Sequence, residues 1–227
     1  METTNNHTEL IMLGTGNAAV THCYNTCFAM SHGGHVLLVD AGGGNGILVQ
    51  LEKSGISIGQ IHEMFVTHAH TDHVLGVIWI IRTIAQRMQQ GVYQGTFKVY
   101  THDKVIQVVD WICRMTLPKK IVAFLGNGIE LCEVKDGECF DAADFKLQCF
   151  DINSTKEKQF GFLAVLPDGR SLSVWEMNLI MNRTGVMWKG PIGFCRKPSV
   201  YMLTEIVSSL MKSTIVLRLT PDVWLQR

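Results

Sequence analysis

Apolar residues fall along this chain in two rhythms that replace one another every few residues. Leu10–Leu13 is a short continuous apolar run of the kind a buried strand makes, closed by the turn Gly14-Thr15-Gly16. Thr26–Met30 and His35–Val39 read as a hairpin around Gly33-Gly34, followed by the loop Asp40-Ala41-Gly42-Gly43-Gly44. Ile47–Ser54 has helical spacing, with Gly55 placed to cap its carboxyl end. Ile61–Thr67 predicts a strand. From Val74 to Gln90 the positions Val74, Val77, Ile78, Ile81, Ile84, Ala85 and Met88 fall three and four apart, which predicts a helix. Phe97–Tyr100 predicts a strand and Lys104–Met115 a helix. Phe145–Ile152 and Phe160–Leu166 predict paired strands, with a turn at Pro167-Asp168-Gly169-Arg170. This alternation predicts an α/β fold in which sheet layers are covered by helices.

The rhythm fades after about Ser173. Residues 174–227 hold three of the five tryptophans and five of the eleven methionines, with three acids against seven lysines and arginines. Neither period is sustained there.

Composition sets bounds on this picture. At 227 residues, 47% hydrophobic and 18% charged, the chain is expected to form one ordered domain with a sizeable core. A net charge of zero argues against a strong field for nucleic acid or membranes. One local excess stands out: between Arg82 and Lys120, basic residues outnumber acids seven to two. That stretch is either a phosphate-facing surface or, on the plainer reading, ordinary solvated charge. Seven cysteines without a C-x-x-C pair read as free thiols of a reducing cytoplasm. No signal peptide is expected at the start. The most apolar segment, Val74 to Ile84, is too short to span a bilayer and contains Arg82.

The chemistry concentrates in FVTHAHTDHVLG, Phe65 to Gly76. His68-x-His70-x-Asp72-His73 offers imidazole nitrogens and a carboxylate, the donors that suit zinc. A loop leaving a buried strand aims successive side chains differently, so His68 and His70 are candidates for one metal, and Asp72 with His73 for a second. Two such ions side by side serve hydrolysis by activating water and stabilising the leaving oxygen.

These residues, with Leu13-Gly14-Thr15-Gly16 and Leu38-Val39-Asp40-Ala41-Gly42-Gly43-Gly44, resemble the metallo-β-lactamase fold superfamily over roughly residues 10–173. The early Leu-Gly-Thr-Gly turn looks like the ribonuclease Z branch. The resemblance implies an αββα four-layer sandwich with a dinuclear zinc site at one edge. It implies His68, His70, Asp72 and His73 as ligands, and Asp72 also as a candidate general base. Asp40 and the glycines after it either shape the floor of the site or simply make a tight strand-to-helix turn.

Three further ligands that the superfamily draws from its second half have no counterpart here. No histidine lies beyond His102, and Asn153 stands where the first is expected. An amide is a poor substitute for imidazole at zinc. Asp151, expected to point the same way as Asn153, is a weaker stand-in. The expected Gly-Asp pair is replaced by Ser173-Val174-Trp175-Glu176-Met177-Asn178. Codons for these residues, read from each third base, permit Leu-Gly-Asp-Glu. Those for Lys212-Ser213-Thr214-Ile215-Val216 permit Lys-His-His-Ser in the same shifted frame. Residues from 174 onward are therefore expected to be an out-of-frame tail, leaving the C-terminal half of the fold incomplete.

The expected function is a zinc-dependent hydrolase of a phosphodiester or other ester, with a small-molecule ester or RNA as substrate. The alternative is a damaged descendant holding one metal or none. A di-iron redox protein or thioester hydrolase is a further branch of the same resemblance. Gly14-Thr15-Gly16-Asn17-Ala18-Ala19 does not match the dinucleotide fingerprint, and no G-x-S-x-G favours a serine nucleophile. An uncovered sheet edge would favour self-association, in the simplest case a homodimer.

Overall fold

The computed structural model describes residues 8–166, 169, 171–175, 178–182 and 215–219; of the last two segments only the backbone is described. Among the described residues, twelve strands form two sheets. The first seven elements in chain order are β1 (Thr8–Gly14), β2 (Cys27–His32), β3 (His35–Val39), α1 (Gly46–Ser54), β4 (Ile61–Phe65), α2 (Thr71–Gln89) and β5 (Phe97–Thr101). They are followed by α3 (Asp103–Thr116), α4 (Lys119–Val122), β6 (Ile129–Glu133), β7 (Cys139–Ala142), β8 (Phe145–Asp151), β9 (Phe160–Val165), β10 (Ser171–Trp175), β11 (Asn178–Asn182) and β12 (Ile215–Leu219). The first sheet runs β12-β1-β2-β3-β4-β5-β6 and the second β11-β10-β9-β8-β7. β3, β4, β5 and β6 are mutually parallel, so their carboxyl ends share one edge. The second sheet is antiparallel throughout.

The run Leu10–Leu13 is continuous because the first sheet is covered on both faces. Ile11 and Leu13 pack with α1 and α2 in one core, beside Ile47, Leu51, Val77 and Ile81. Leu10 and Met12 point the other way, into a core between the sheets with Leu37, Phe65, Phe145, Phe162 and Val174. Helices, first sheet and second sheet are thus three of the expected layers. Among the described residues no helix covers the outer face of the second sheet. Nor is any helix long and apolar enough to cross a membrane.

The expected elements are present, with shifted bounds and additions. The helix expected from Val74 starts at Thr71, so half of the histidine cluster lies in its first turn rather than on a loop. β6 and β7 lacked a clear signal, because their faces mix buried, half-buried and exposed residues. Beyond residue 174, β11 pairs with β10 and β12 lies parallel to β1; the rest of that stretch lies outside the described residues.

Phe65 and Phe162 join the two sheets edge to face, with ring centroids 4.9 Å apart and neither ring exposed. Phe162→Ala is expected to lower the unfolding free energy by about 3–5 kcal/mol, through lost burial and the cavity left behind. Urea denaturation measures it; a loss under about 1 kcal/mol, the size of a mild methylene deletion, would mean that the sheets do not depend on this contact.

Candidate metal centre

The histidine segment leaves the end of β4 pinned from both sheets. Val66 N donates to Tyr100 O at 3.0 Å, and Thr67 O accepts from Phe160 N of the second sheet at 2.9 Å. Beside it, at the end of β3, stands Asp40. It is buried and adopts φ 54°, a left-handed conformation that residues other than glycine seldom take. Its own N–H donates to Phe65 O at 2.9 Å.

The Asp40 carboxylate collects three donors. Thr67 N reaches Oδ1 at 2.8 Å, while Thr67 Oγ1 and His73 Nδ1 both reach Oδ2 at 2.8 Å. A carboxylate only accepts, so His73 carries a proton on Nδ1; in its neutral form Nε2 is then the lone pair. Thr67 Oγ1, having donated to Asp40, can accept from His68 Nδ1, 2.9 Å away. That leaves His68 Nε2 with its lone pair, which accepts from His70 Nδ1 at 3.0 Å. One carboxylate thus fixes the outward nitrogen of two histidines, one of them through a hydroxyl. Such outer hydrogen bonds are what orient histidine toward a metal.

α2 enters this network at its first turn. His73 N and Val74 N both donate to His70 O, at 3.0 and 2.9 Å. The loop after Asp40 then lies directly on the helix: Ala41 N donates to His73 O at 3.2 Å and Gly76 N to Gly42 O at 2.9 Å. A Cβ on Gly76 would sit 1.8 Å from Ala41 O, so only glycine permits the approach. Asp72, in the same first turn, has Oδ2 3.7 Å from His73 Nε2. Asp40 and its glycines therefore do both things left open by the sequence: they make the tight turn and they form the floor.

Electrostatics follow from the burial. Burial pushes the Asp40 carboxyl up, but the charge and hydrogen bond of His73, then His68 and the Thr67 N–H, together hold it below the usual carboxylate range. Burial pushes the His68 imidazole down from 6.5 to about 4, with His73 adding to the effect and Asp40 opposing it. His68 is neutral at pH 7, as a ligand must be.

The donor types and their anchoring fit zinc, and the 3.0 Å between His68 Nε2 and His70 Nδ1 is near the ~3.3 Å separating two donors of a tetrahedral ion with bonds of about 2.0–2.1 Å. Among the described residues, however, no set of three or more His, Cys, Asp or Glu side chains converges so as to hold a metal ion. His68, His70, Asp72 and His73 line one side of the candidate site.

The other flank was expected near Asn153. That residue is exposed, adopts φ 55°, and is tied to its own turn: its N–H donates to Asp151 Oδ1 at 2.8 Å and its Nδ2 to Asp151 O at 3.2 Å. The left-handed backbone ends strand alternation before Asn153, and Asp151 is engaged in holding the turn. Glu157, further along the same loop, belongs to no motif. Lys104 Nζ holds both its oxygens, at 2.7 and 2.8 Å. That hydrogen bond, reinforced by the Lys104 charge, keeps the carboxyl below its ordinary value against the opposing effect of burial. His102 packs instead against Phe160, with Lys158 and Asp103 as its charged neighbours.

Stability should register the buried imidazole. Between about 4 and 6.5 the unfolded chain binds a proton that folded His68 refuses. That contribution is complete above 6.5 and is lost as the pH falls toward 4. Metal-free protein is expected to lose unfolding free energy across this window, and His68→Gln, which does not titrate, to show a shallower fall in a denaturation series against pH. Equal slopes would remove His68 as the cause.

Comparison with known proteins places this geometry. A family model described as anti-Pycsar protein Apyc1 matches residues 8–182. Ribonuclease Z from Bradyrhizobium sp. is 31% identical over 170 residues, covering 72% of this chain and 52% of that protein. Ribonuclease Z from Thermococcus sibiricus is 39% identical over 117 residues, covering 42% of this chain and 38% of that protein. The chain spans about half the length, or less, of the curated relatives it matches. Among solved structures, the metallo-β-lactamase fold protein YhfI from Bacillus subtilis superposes with a TM-score of 0.58 at 14% identity, covering 74% of this chain and 62% of that one. The short form of human tRNase Z gives 0.55 at 19% identity, covering 76% and 68%. The chain belongs to the family described as anti-Pycsar protein Apyc1, within the ribonuclease Z-like branch of the metallo-β-lactamase fold superfamily.

Proposed function

We propose that this chain derives from, and on its first reading still is, a zinc-dependent hydrolase of phosphodiesters, with RNA the favoured substrate class. His68, His70, Asp72 and His73 are the proposed ligands. The observation that carries the reading is the Asp40 relay, which turns His68 Nε2 and His73 Nε2 outward beside His70 Nδ1 and Asp72 Oδ2. Bound zinc supplies a water of lowered pKa and a Lewis acid for charge on the phosphoryl group.

The chain's own residues do the rest. Asp40 keeps both imidazoles in the tautomer that ligates and offers no proton of its own. Asp72, with its side chain 14% exposed, is the proposed base that takes a proton from attacking water. The amino end of α2 directs its positive dipole end toward this edge, which favours a phosphate there. Lys104 adds a cation through its partner Glu157. The six thiols described are all free, in keeping with a reducing cytoplasm.

A second reading has its own observation. Asn153 is tied into an exposed turn, and no three-donor set exists among the described residues. A descendant that keeps one flank of the centre, with residues from 174 onward out of frame, accounts for the missing donors of the second half; Asn153 precedes the shift and requires a separate single change. The coding DNA around codons 150–180 decides the frame: an intact frame in the source genome, with no nearby insertion or deletion, would sink that part.

Two measurements separate the readings. A hydrolase should cleave bis(p-nitrophenyl) phosphate, lose the activity to a chelator and regain it with zinc, and His68→Ala should cost well over the ~10–100-fold typical of losing an outer partner. A damaged descendant should show no activity above buffer. With the aspartate of the expected Gly-Asp pair missing, metal analysis after dialysis is expected to give at most one zinc per chain; two retained equivalents would refute the incomplete centre.

A further inference from the structure

One cavity borders the histidine edge without belonging to it. About 270 Å³ opens between α2, the end of α3 and the glycine loop, walled by Gly43, Gly44, Leu75, Trp79, Arg82 and Leu117. Gly43 belongs to both places: a Cβ there would stand 3.8 Å from Asp72 Cα. Trp79 is 37% exposed, and the Arg82 guanidinium lies over its ring, 5.6 Å from the centroid. Asp72, Leu75, Trp79 and Arg82 follow one another at three- and four-residue steps, so they form a single stripe along α2. At a rise of 1.5 Å per residue, Trp79 lies ~10 Å from Asp72 along that stripe. That is roughly three stacked nucleotide steps of about 3.4 Å.

We propose that this cavity is a subsite for single-stranded RNA, in which a base flanking the bond to be cleaved stacks on Trp79 and an adjoining phosphate meets Arg82. The walls are apolar apart from that cation and Thr116, whose hydroxyl donates to Ile112 O, and this is the chemistry of a base and its phosphate. The charge is complementary as well. The seven-to-two basic excess begins at Arg82 and ends at Lys119 and Lys120, which directly follow the cavity residue Leu117 and Pro118. Two of the other basic residues, Lys104 and Arg114, are paired with Glu157 and Asp110. An ester without a base would leave the Trp79 face unused. The identity of the ligand rests on the phosphodiesterase reading; the test below does not.

The test is fluorescence anisotropy of a short labelled single-stranded RNA on the full chain in the presence of chelator, where neither metal nor turnover is needed. Trp79→Ala is expected to weaken binding about tenfold, within the range for loss of one base–aromatic stack. Trp79→Phe should restore most of it. Arg82→Ala should lower the dependence of log affinity on log salt by about one phosphate contact. Affinity unchanged in both alanine variants, or no RNA binding by the parent chain, overturns the subsite. So does a Trp79→Ala protein that binds RNA normally but sediments as a smaller species than its parent, because the patch is then a contact between copies. RNA binding that depends on Trp79 without any hydrolysis would sink the hydrolase reading and leave the subsite standing.

Discussion

The Asp40 carboxylate is the constraint on which this site depends. It stands where β3, β4 and α2 meet; two of its hydrogen bonds hold Thr67, just past the end of β4, and the third holds His73 of α2. A carboxylate is required there by the identity of the donors. An N–H, a hydroxyl and an imidazole N–H all converge on two oxygens, and an amide would turn an NH₂ toward one of them. The charge strengthens every bond that it accepts. In return the buried charge is compensated by those donors, without which burial would make ionisation expensive. The left-handed φ of Asp40 follows from the same geometry. The chain must turn sharply out of β3 for the carboxyl to face Thr67 while the glycines behind it reach Gly76.

The sheet arrangement explains why such a network forms at this edge. β3, β4 and β5 run parallel, so each strand delivers its last residue to the same side. Both faces of the first sheet are buried, which leaves the strand ends as the place where polar side chains can gather beside a crevice. The second sheet closes the arrangement by a single main-chain bond, Phe160 N to Thr67 O. Thr67 is thereby held from both sheets while its side chain bridges Asp40 and His68.

What could be read from the sequence was whatever had a local signature. The continuous Leu10–Leu13 run, the three-and-four spacing from Val74 to Met88 and the dense His68–His73 cluster each carry their meaning within a few residues. The start of α2 was not legible, because Thr71, Asp72 and His73 are polar and do not extend the apolar period. β6 and β7 alternate too weakly to stand out from loops. The relay through Thr67 and the approach of Glu157 depend on pairings made by the fold, across 27 residues from Asp40 to Thr67 and 53 from Lys104 to Glu157. Asn153 was identified as a departure, but its left-handed turn was not, because nothing in the residues around it demands one.

The same network bears on what the motif can prove. His68 and His73 are 3% and 1% exposed, and Asp40 is buried with them. Removing any one leaves a buried polar group without its partner, at a cost of about 1–3 kcal/mol and more where a charge is stranded. The motif is therefore held in place by the stability of the first half of the fold, quite apart from any metal. A chain that lost the ligands of its second half would still need these side chains to fold. That is why the His68–His73 cluster identifies the family so firmly and yet does not by itself establish activity. The discriminating residue is one with no such burial: His70, which is exposed.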